Sequence, residues 1–418
     1  MTDPFADFQT IKFINGLTLR VLHWPRRKLQ SVAFMINSGS KDDPIGREGV
    51  AHFVEHLVSE NADCEKDVLM DYALDCGGGT MLGKTGPFFT EYGFSVPAQD
   101  AAVGFMLERF ASILMYGKLE SKIERERSII MEEFNRAYPY KYLNDILWRK
   151  ARSLYEGYWL ERAFSPLGTP ASIRGISQDD LQGYYDTHYN PANMDVVAVG
   201  GMEPDRFAAL LAESPFGADK KGSRNPTPVR EATAPPPTSN GCHLKMSDHI
   251  KTGPDFGGVY LSAVRVPGEI SANTLGIFYS MLKEILNEEV REKRGWAYAI
   301  GCNWEYLGPF YEFVVRCDAY ALSAVGKIHQ LIEECLKMVT QQQQLFEKVK
   351  RRKLSSARMR DWNPSGVLDD VLGDLRHYQQ IRGVEEDVQD IASVTMEDIA
   401  LLGQWLVPER RWTLMMEP

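Results

Sequence analysis

The string His52-Phe53-Val54-Glu55-His56 places two imidazoles four residues apart with a carboxylate between them. On a helix His52, Glu55 and His56 share one face. Two imidazoles one turn apart can both reach a single Zn²⁺ at about 2.0–2.1 Å, and a carboxylate beside them can take a proton from water activated by the ion. The order is the inverse of the H-E-x-x-H metal-binding string. Val50, Phe53, Val54 and Leu57 form an apolar stripe, so Glu48, His52, Glu55, His56 and Ser59 also fit the wet face of an ordinary amphipathic helix. The string alone leaves both readings open.

A zinc site needs a further protein ligand, and Glu126-Arg127-Ser128-Ile129-Ile130-Met131-Glu132-Glu133 offers one. Glu126 and Glu133 lie seven apart, two turns along one helix face, on a stripe shared with Ile123, Ile130 and Ala137. Carboxylates in an apolar stripe are costly to bury without a cation. Glu124, Arg125, Arg127 and Glu132 read as the solvated side. Taken by itself this segment is an ordinary charged surface helix; together with the histidine helix it becomes a metal site.

The elements that must carry these residues follow from periodicity. Strands are expected at Leu17–His23, Ser31–Ser38 and Thr90–Val96, and helices at 46–58, 99–116 and 120–138. Gly257–Val266, Trp296–Tyr306 and Phe310–Cys317 read as strands, and 272–288 and 320–360 as helices. Gln341–Gln344 reads as a solvated helix face, and Cys76-Gly77-Gly78-Gly79 as a loop before a strand. Ile176-Ser177-Gln178-Asp179-Asp180-Leu181 and Val394-Thr395-Met396-Glu397-Asp398-Ile399 are capped helix starts, each followed by a proline turn and a strand. Asp180 to Asp398 is 218 positions and Pro191 to Pro408 is 217, so the halves read as a tandem duplication. Residues 214–241, rich in Pro, Gly and charge, read as an extended linker between domains 1–213 and 242–418. The expected class is α+β: two homologous mixed α/β domains, each a sheet packed with helices.

His52, His56 and Glu133, with 76 residues between the second His and the Glu, resemble the zinc-binding motif of the M16 metallopeptidases. That family includes pitrilysin, insulin-degrading enzyme and the mitochondrial processing peptidase. The resemblance implies one Zn²⁺ per chain held by His52, His56 and Glu133, with Glu55 as general base and Glu126 supporting the site. It extends to Trp148, to Ser165-Pro166-Leu167-Gly168-Thr169, to Tyr189-Asn190-Pro191-Ala192-Asn193-Met194 and to Arg291-Glu292-Lys293-Arg294-Gly295-Trp296-Ala297-Tyr298. In the last segment it implies that Arg291 and Tyr298 bind the substrate carbonyl and help stabilise the tetrahedral intermediate. The strand that aligns substrate is matched at Thr85, Thr90 and Tyr92, but Leu82-Gly83 stands where the family usually carries Asn-Ala. Leu82, Gly83 and Thr85 are therefore the expected peptide-contacting positions. Leu57–Asn61 likewise departs from the family's usual Phe-x-Gly-Thr.

A chain of this length is similar to the M16B group, in which two chains close like a clamshell around a chamber. The resemblance then implies half a clamshell, a homodimer or a heterodimer with a paralogous M16B chain, and Arg291 and Tyr298 facing a partner's zinc. The implied activity is endopeptidase action on short or unfolded peptides; the alternative is a non-catalytic or partner-dependent subunit of a processing peptidase.

Composition narrows the remaining classes. At 418 residues and a net charge of −10, the chain has no basic excess with which to bind nucleic acid. No apolar run approaches membrane-spanning length. The start lacks a basic segment followed by an apolar core, and the six scattered cysteines form no CxxC pair, so a cytoplasmic protein with reduced thiols is expected.

Overall fold

Met194–Gly200 (β6) is buried at every position and Leu29–Ile36 (β3) at every position after Leu29. Strands without polar alternation need cover on both faces, and this requirement organises the first half of the molecule. The computed structural model describes residues 4–60, 66–137, 166–220, 222–225, 240–245, 257–265, 270–307, 310–319, 324–359, 363–407 and 412–417. The expected linker core and Trp148 lie outside them.

β3 and β6 sit within a six-stranded sheet ordered β1-β2-β6-β3-β5-β4, where β1 is Gln9–Lys12, β2 Thr18–His23, β4 Gly79–Thr85 and β5 Thr90–Pro97. β6 runs parallel to β2, and all other neighbours are antiparallel. One face packs on helices Val50–Ser59 (α1), Lys66–Asp75 (α2), Asp100–Tyr116 (α3), Ile123–Ala137 (α4), Pro170–Gly175 (α5), Gln178–His188 (α6) and Pro204–Glu213 (α7). Phe34 stacks between Phe110 and Phe216 at the centre of this core, with ring centroids 5.2 and 4.9 Å away.

The cover for the opposite face comes from far down the chain. Pro364–Tyr378 lies against β3 and β6 and buries Val367, Leu368, Val371, Leu372 and Leu375. Its Arg376 forks onto the buried Glu91 of β5, Nε and Nη2 each 2.5 Å from one carboxylate oxygen. The first compact unit is accordingly Met1–Thr227 together with Asp361–Gly383, and the second is Pro228–Arg360 with Val384–Pro418. The expected boundary at 242 thus misses one helix, because its apolar stripe says that it packs but not on which sheet.

The second unit holds a five-stranded sheet ordered β7-β11-β8-β10-β9. Its strands are Asn240–Lys245 (β7), Gly257–Arg265 (β8), Ala297–Leu307 (β9), Phe310–Ala319 (β10) and Trp412–Glu417 (β11). Helices Ala272–Leu286 (α8), Val325–Val339 (α9), Gln343–Arg358 (α10), Val384–Ser393 (α12) and Met396–Trp405 (α13) pack with it; Pro364–Tyr378 is α11. Without β1, the first sheet reads β2-β6-β3-β5-β4, the same path, and β11 is parallel to β7 as β6 is to β2. The capped starts recur as expected: Ser177 and Asp180 cap α6 reciprocally, and Thr395 and Asp398 cap α13.

Three local expectations need correction. Helix 320–360 is broken between Val339 and Gln343, so the glutamine run spans a helix junction instead of a continuous face. The linker does not begin at Ser214: Pro215–Gly217 forms a 3₁₀ turn that buries Phe216, and Asn225 bonds to the Asn37 carbonyl. At the other end Asn240 and Gly241 already belong to β7. Among the described residues, no helix is long and apolar enough to cross a membrane.

Candidate metal centre

The start of α1 is fixed from upstream. Gly49 caps it in the left-handed region at φ 98°, and the Asp43 carboxylate accepts the amides of Gly49 and Ala51 at 2.6 and 2.9 Å. Burial pushes the Asp43 carboxyl up, against the pull of those two amides. Gly168, at φ 67°, passes so close that a Cβ there would meet the Glu48 carbonyl at 2.1 Å, and Ser172 donates to the same carbonyl at 2.7 Å. The Pro166–Thr169 segment is thus a buttress under the first turn of α1. Val50, Phe53, Val54 and Leu57 are buried as expected, but so are Glu48 and Ser59, while His52, Glu55 and His56 are half-buried. The polar side of α1 is a lined recess instead of a wet face.

α4 crosses α1 with Ile130 and Phe134 in the core. Its Glu133 Oε2 lies 3.6 Å from His52 Nε2 and 3.5 Å from His56 Nε2. Among the described residues, His52, His56 and Glu133 form the group of three whose donor atoms all lie within 4.8 Å of one another. Two imidazole nitrogens and one carboxylate oxygen are a donor set that suits Zn²⁺ and leaves room for a further ligand. Burial, with His56 beside it, holds the His52 pKa down to about 3, so its lone pair is free of a proton at neutral pH.

Glu126, one of the few buried acidic groups, places Oε2 3.0 Å from His56 Nδ1. A carboxylate on the far nitrogen of a ligating histidine fixes its tautomer and ring orientation. Arg127 is not on the solvated side as expected. It donates to the carbonyls of Ile173 and Ile176 and lies over the Phe53 ring, tying α4 to α5 and α1.

Glu55 points from α1 to the edge strand. Its Oε2 accepts the Thr85 hydroxyl at 2.6 Å, and burial raises its pKa while that bond opposes the rise. β4 pairs with β5 at Met81–Gly93 and again at Lys84–Glu91, so Leu82 and Gly83 together oppose Tyr92 alone. This is a β-bulge, a device that re-aims the strand beside a site. A Cβ on Gly83 would lie 2.3 Å from Glu55 Oε1 and 2.4 Å from its Cγ. The glycine is what lets the Glu55 carboxylate lie against the strand. Behind it, the hydroxyls of Tyr92 and Tyr189 are 2.8 Å apart; burial first, and the Glu55 charge after it, keep both phenols protonated.

Arg291 and Tyr298 belong to the second unit. Arg291 lies on a π-helical turn, Asn287–Glu292, that prolongs α8, and Tyr298 is the second residue of β9. Sequence reasoning missed Asp43, Arg127 and the steric role of Gly83. Asp43 and Arg127 act across contacts with no local pattern; Gly83 was visible only as a departure at a matched position.

Residues 22–154 match the sequence model described as insulinase (peptidase family M16), and residues 175–353 match that of the peptidase M16 inactive domain. A protein named uncharacterized zinc protease from Mycobacterium leprae is 24 % identical over 96 % of this chain and 90 % of its own length. A mitochondrial-processing peptidase subunit beta from Lentinula edodes is 27 % identical over 59 % of this chain and 51 % of its own. A peptidase M16 inactive domain from Pseudomonas fluorescens superposes with a TM-score of 0.83 at 15 % identity, covering 99 % of this chain and 98 % of that one. The periplasmic protease PqqL from Escherichia coli superposes at 0.71 and 17 % identity, where 98 % of this chain covers 47 % of PqqL.

Proposed function

Because the chain belongs to the M16 peptidase family, we propose that it is a zinc endopeptidase cutting short or unfolded peptides, with Glu55 as general base. The observation that carries this reading is the convergence of donor atoms of His52, His56 and Glu133 within 4.8 Å of one another, the two histidines on the helix that also bears Glu55 and Glu133 on α4.

In this reading His52, His56 and Glu133 hold the ion. When bound, zinc supplies Lewis-acid polarisation of the scissile carbonyl and acidifies water. Glu126 keeps His56 in the tautomer that ligates through Nε2. Glu55 Oε1 accepts a proton from the attacking water, while Thr85 steadies Oε2; the raised pKa of this carboxyl brings it nearer the operating pH, where a base that must later act as an acid is most effective. Glu55 then delivers the proton to the leaving amine. β4 ends the sheet order, so its outer edge can pair with an extended peptide through backbone groups, at Leu82, Gly83 and Thr85, without an asparagine side chain. Arg291 and Tyr298 complete carbonyl binding from a second chain, a homodimeric or paralogous M16B partner. The match of this chain to about half of PqqL supports a two-chain clamshell. The scattered cysteines favour a cytoplasmic location.

Digestion of a pool of unstructured peptides, read by mass spectrometry beside Glu55→Gln with zinc quantified in both, tests the reading. Cleavage by the wild type with about one zinc per chain, lost by a factor on the order of 100 or more in the variant, is expected. Zinc binding without cleavage by the isolated chain, restored by a second M16 chain, would establish a partner-dependent subunit. Absence of stoichiometric zinc sinks the proposal.

A further inference from the structure

Behind the edge strand, on the sheet face turned away from Glu55, the first unit contains a cavity of about 430 Å³. That volume lies within the range of small-ligand pockets. Its floor is β4 and β5 and its roof is α11: Gly79, Met81 and Gly93 face Leu368 and Leu372, with Asp369 at the side. The space exists because the floor lacks side chains. Gly93 cannot carry one, since a Cβ would lie 2.6 Å from the Val32 carbonyl, and Gly78 would meet the Ser95 carbonyl at 1.8 Å. Gly79 is different: a Cβ there would meet nothing within 4 Å.

The register connects this cavity to peptide binding. Gly79 opposes Ser95 and Met81 opposes Gly93, so these positions look toward α11, whereas Thr85 opposes Thr90 and looks toward Glu55. A peptide strand added to the outer edge of β4 alternates its side chains in the same way. Those on one face meet Glu55 and the metal ligands; the alternate ones meet the cavity. Met81 and Gly79 lie two and four residues before Gly83, or about 7 and 13 Å along the strand at the usual rise. A side chain entering there therefore comes from a residue about two to four positions from the scissile bond.

The lining selects the chemistry. The polar groups are already engaged with one another: Ser31 and Ser95 hydroxyls are 2.7 Å apart, and Ser365 stands 3.2 Å from Ser31. Asp369 has Arg376 and Lys84 nearby as counter-charges. What remains without a partner surface is apolar, from Met81, Leu368 and Leu372. We propose that this cavity is a specificity subsite that takes a large apolar side chain, such as Phe, Leu or Met, from a peptide paired with β4. The proposal rests on the peptidase reading above and goes beyond it by assigning a side-chain preference and the residues that set it.

The test fills the cavity at Gly79, a lining glycine that has room for a side chain and, unlike Gly77, is not in the left-handed region. Full-length wild type, Gly79→Ala and Gly79→Leu are compared on peptides that vary from Ala to Phe at each position around a cleaved bond. Expected is a wild-type preference for the large apolar residue at one position two to four residues from the cut. Gly79→Leu should lower kcat/KM for those peptides on the order of tenfold or more, leave the Ala peptides unchanged, and shift the optimum to smaller residues, with Gly79→Ala intermediate. Unchanged cleavage of the Ala peptides and unchanged zinc content report an intact fold. Cleavage with no such preference, or a preference that Gly79→Leu does not move, overturns the subsite and leaves the peptidase reading standing. Should the wild type cut nothing, anisotropy of labelled Phe and Ala peptides on Glu55→Gln decides. Tighter Phe binding that is lost in Glu55→Gln/Gly79→Leu supports the subsite; equal or no binding overturns it, whereas absence of stoichiometric zinc overturns the peptidase reading.

Discussion

In the proposed zinc site Glu126 acts through His56, so its removal separates metal affinity from fold. Replacing it by Gln should weaken zinc binding about 10- to 100-fold, measured by competition with a chromophoric chelator, while thermal unfolding of the zinc-loaded protein changes little. Gly83 makes its contribution through Glu55. In Gly83→Ala the new methyl takes the place of the carboxylate, and if Glu55 is the general base proposed above, a displacement of about 1 Å costs on the order of 100-fold in kcat. Zinc content should stay at the wild-type level, and a variant with wild-type kcat would show that Glu55 finds an equally good seat. Of this constellation, helix spacing made the His52, Glu55, His56 face and the Glu126, Glu133 face legible as candidates, and the resemblance to the M16 motif joined them and gave them expected roles. The Glu55–Thr85 bond was not, because it joins positions thirty apart whose meeting depends on a bulge that no residue pattern announces.

At the scale of elements, the periodic segments were readable wherever one face alone is buried, as in α1 and α4. Boundaries suffered where polar groups act across distance: α1 begins at Val50 because Asp43 supplies its cap from outside the helix. β6 illustrates the same long reach. Its Asp195 is buried, bonded to Arg20 of β2 at 2.5 Å, to Arg224 and to Asn37. Burial opposes ionisation, but the two guanidiniums outweigh it and hold the carboxyl below the usual range. The unfolded chain then binds more protons than the folded one, so this group stabilises above its ordinary pKa near 3.9 and loses that contribution as pH falls through the depressed folded value. Urea unfolding from pH 7 to 3 should show stability falling below about pH 4, with a shallower fall in Asp195→Asn. An equal slope in the variant would assign the acid sensitivity elsewhere.

The tandem plan was legible at the scale of the molecule because both halves repeat the same capped helix and closing strand, and the two sheets follow one path. What could not be read was the loan of α11 to the first unit. A helix with one apolar stripe declares that it packs, and β3 and β6, largely apolar on both faces, declare that they need a second cover; nothing in either segment names the other. The Glu91–Arg376 fork ties that helix to the neighbouring β5, and Ser365 stands 3.2 Å from Ser31 of β3. Arg376→Ala leaves Glu91 buried without its partner and should cost about 3–5 kcal/mol in chemical denaturation, while Glu91→Leu/Arg376→Leu should recover much of it. A double variant no better than the single one would mean that the fork is needed for more than charge compensation.

The loan of α11 also sets the order in which this protein can be made. Domains generally fold as units while the chain leaves the ribosome, amino end first, yet the first unit closes only with residues 361–383 of 418. Until those residues emerge, the buried positions Ala33, Met35, Val197 and Val199 on β3 and β6 lack the helix that lies against those strands. The first unit therefore closes only after residues 228–360, which belong to the second unit, have been made. A truncation that ends before residue 361 yields a chain whose β3 and β6 are uncovered instead of a free-standing first unit.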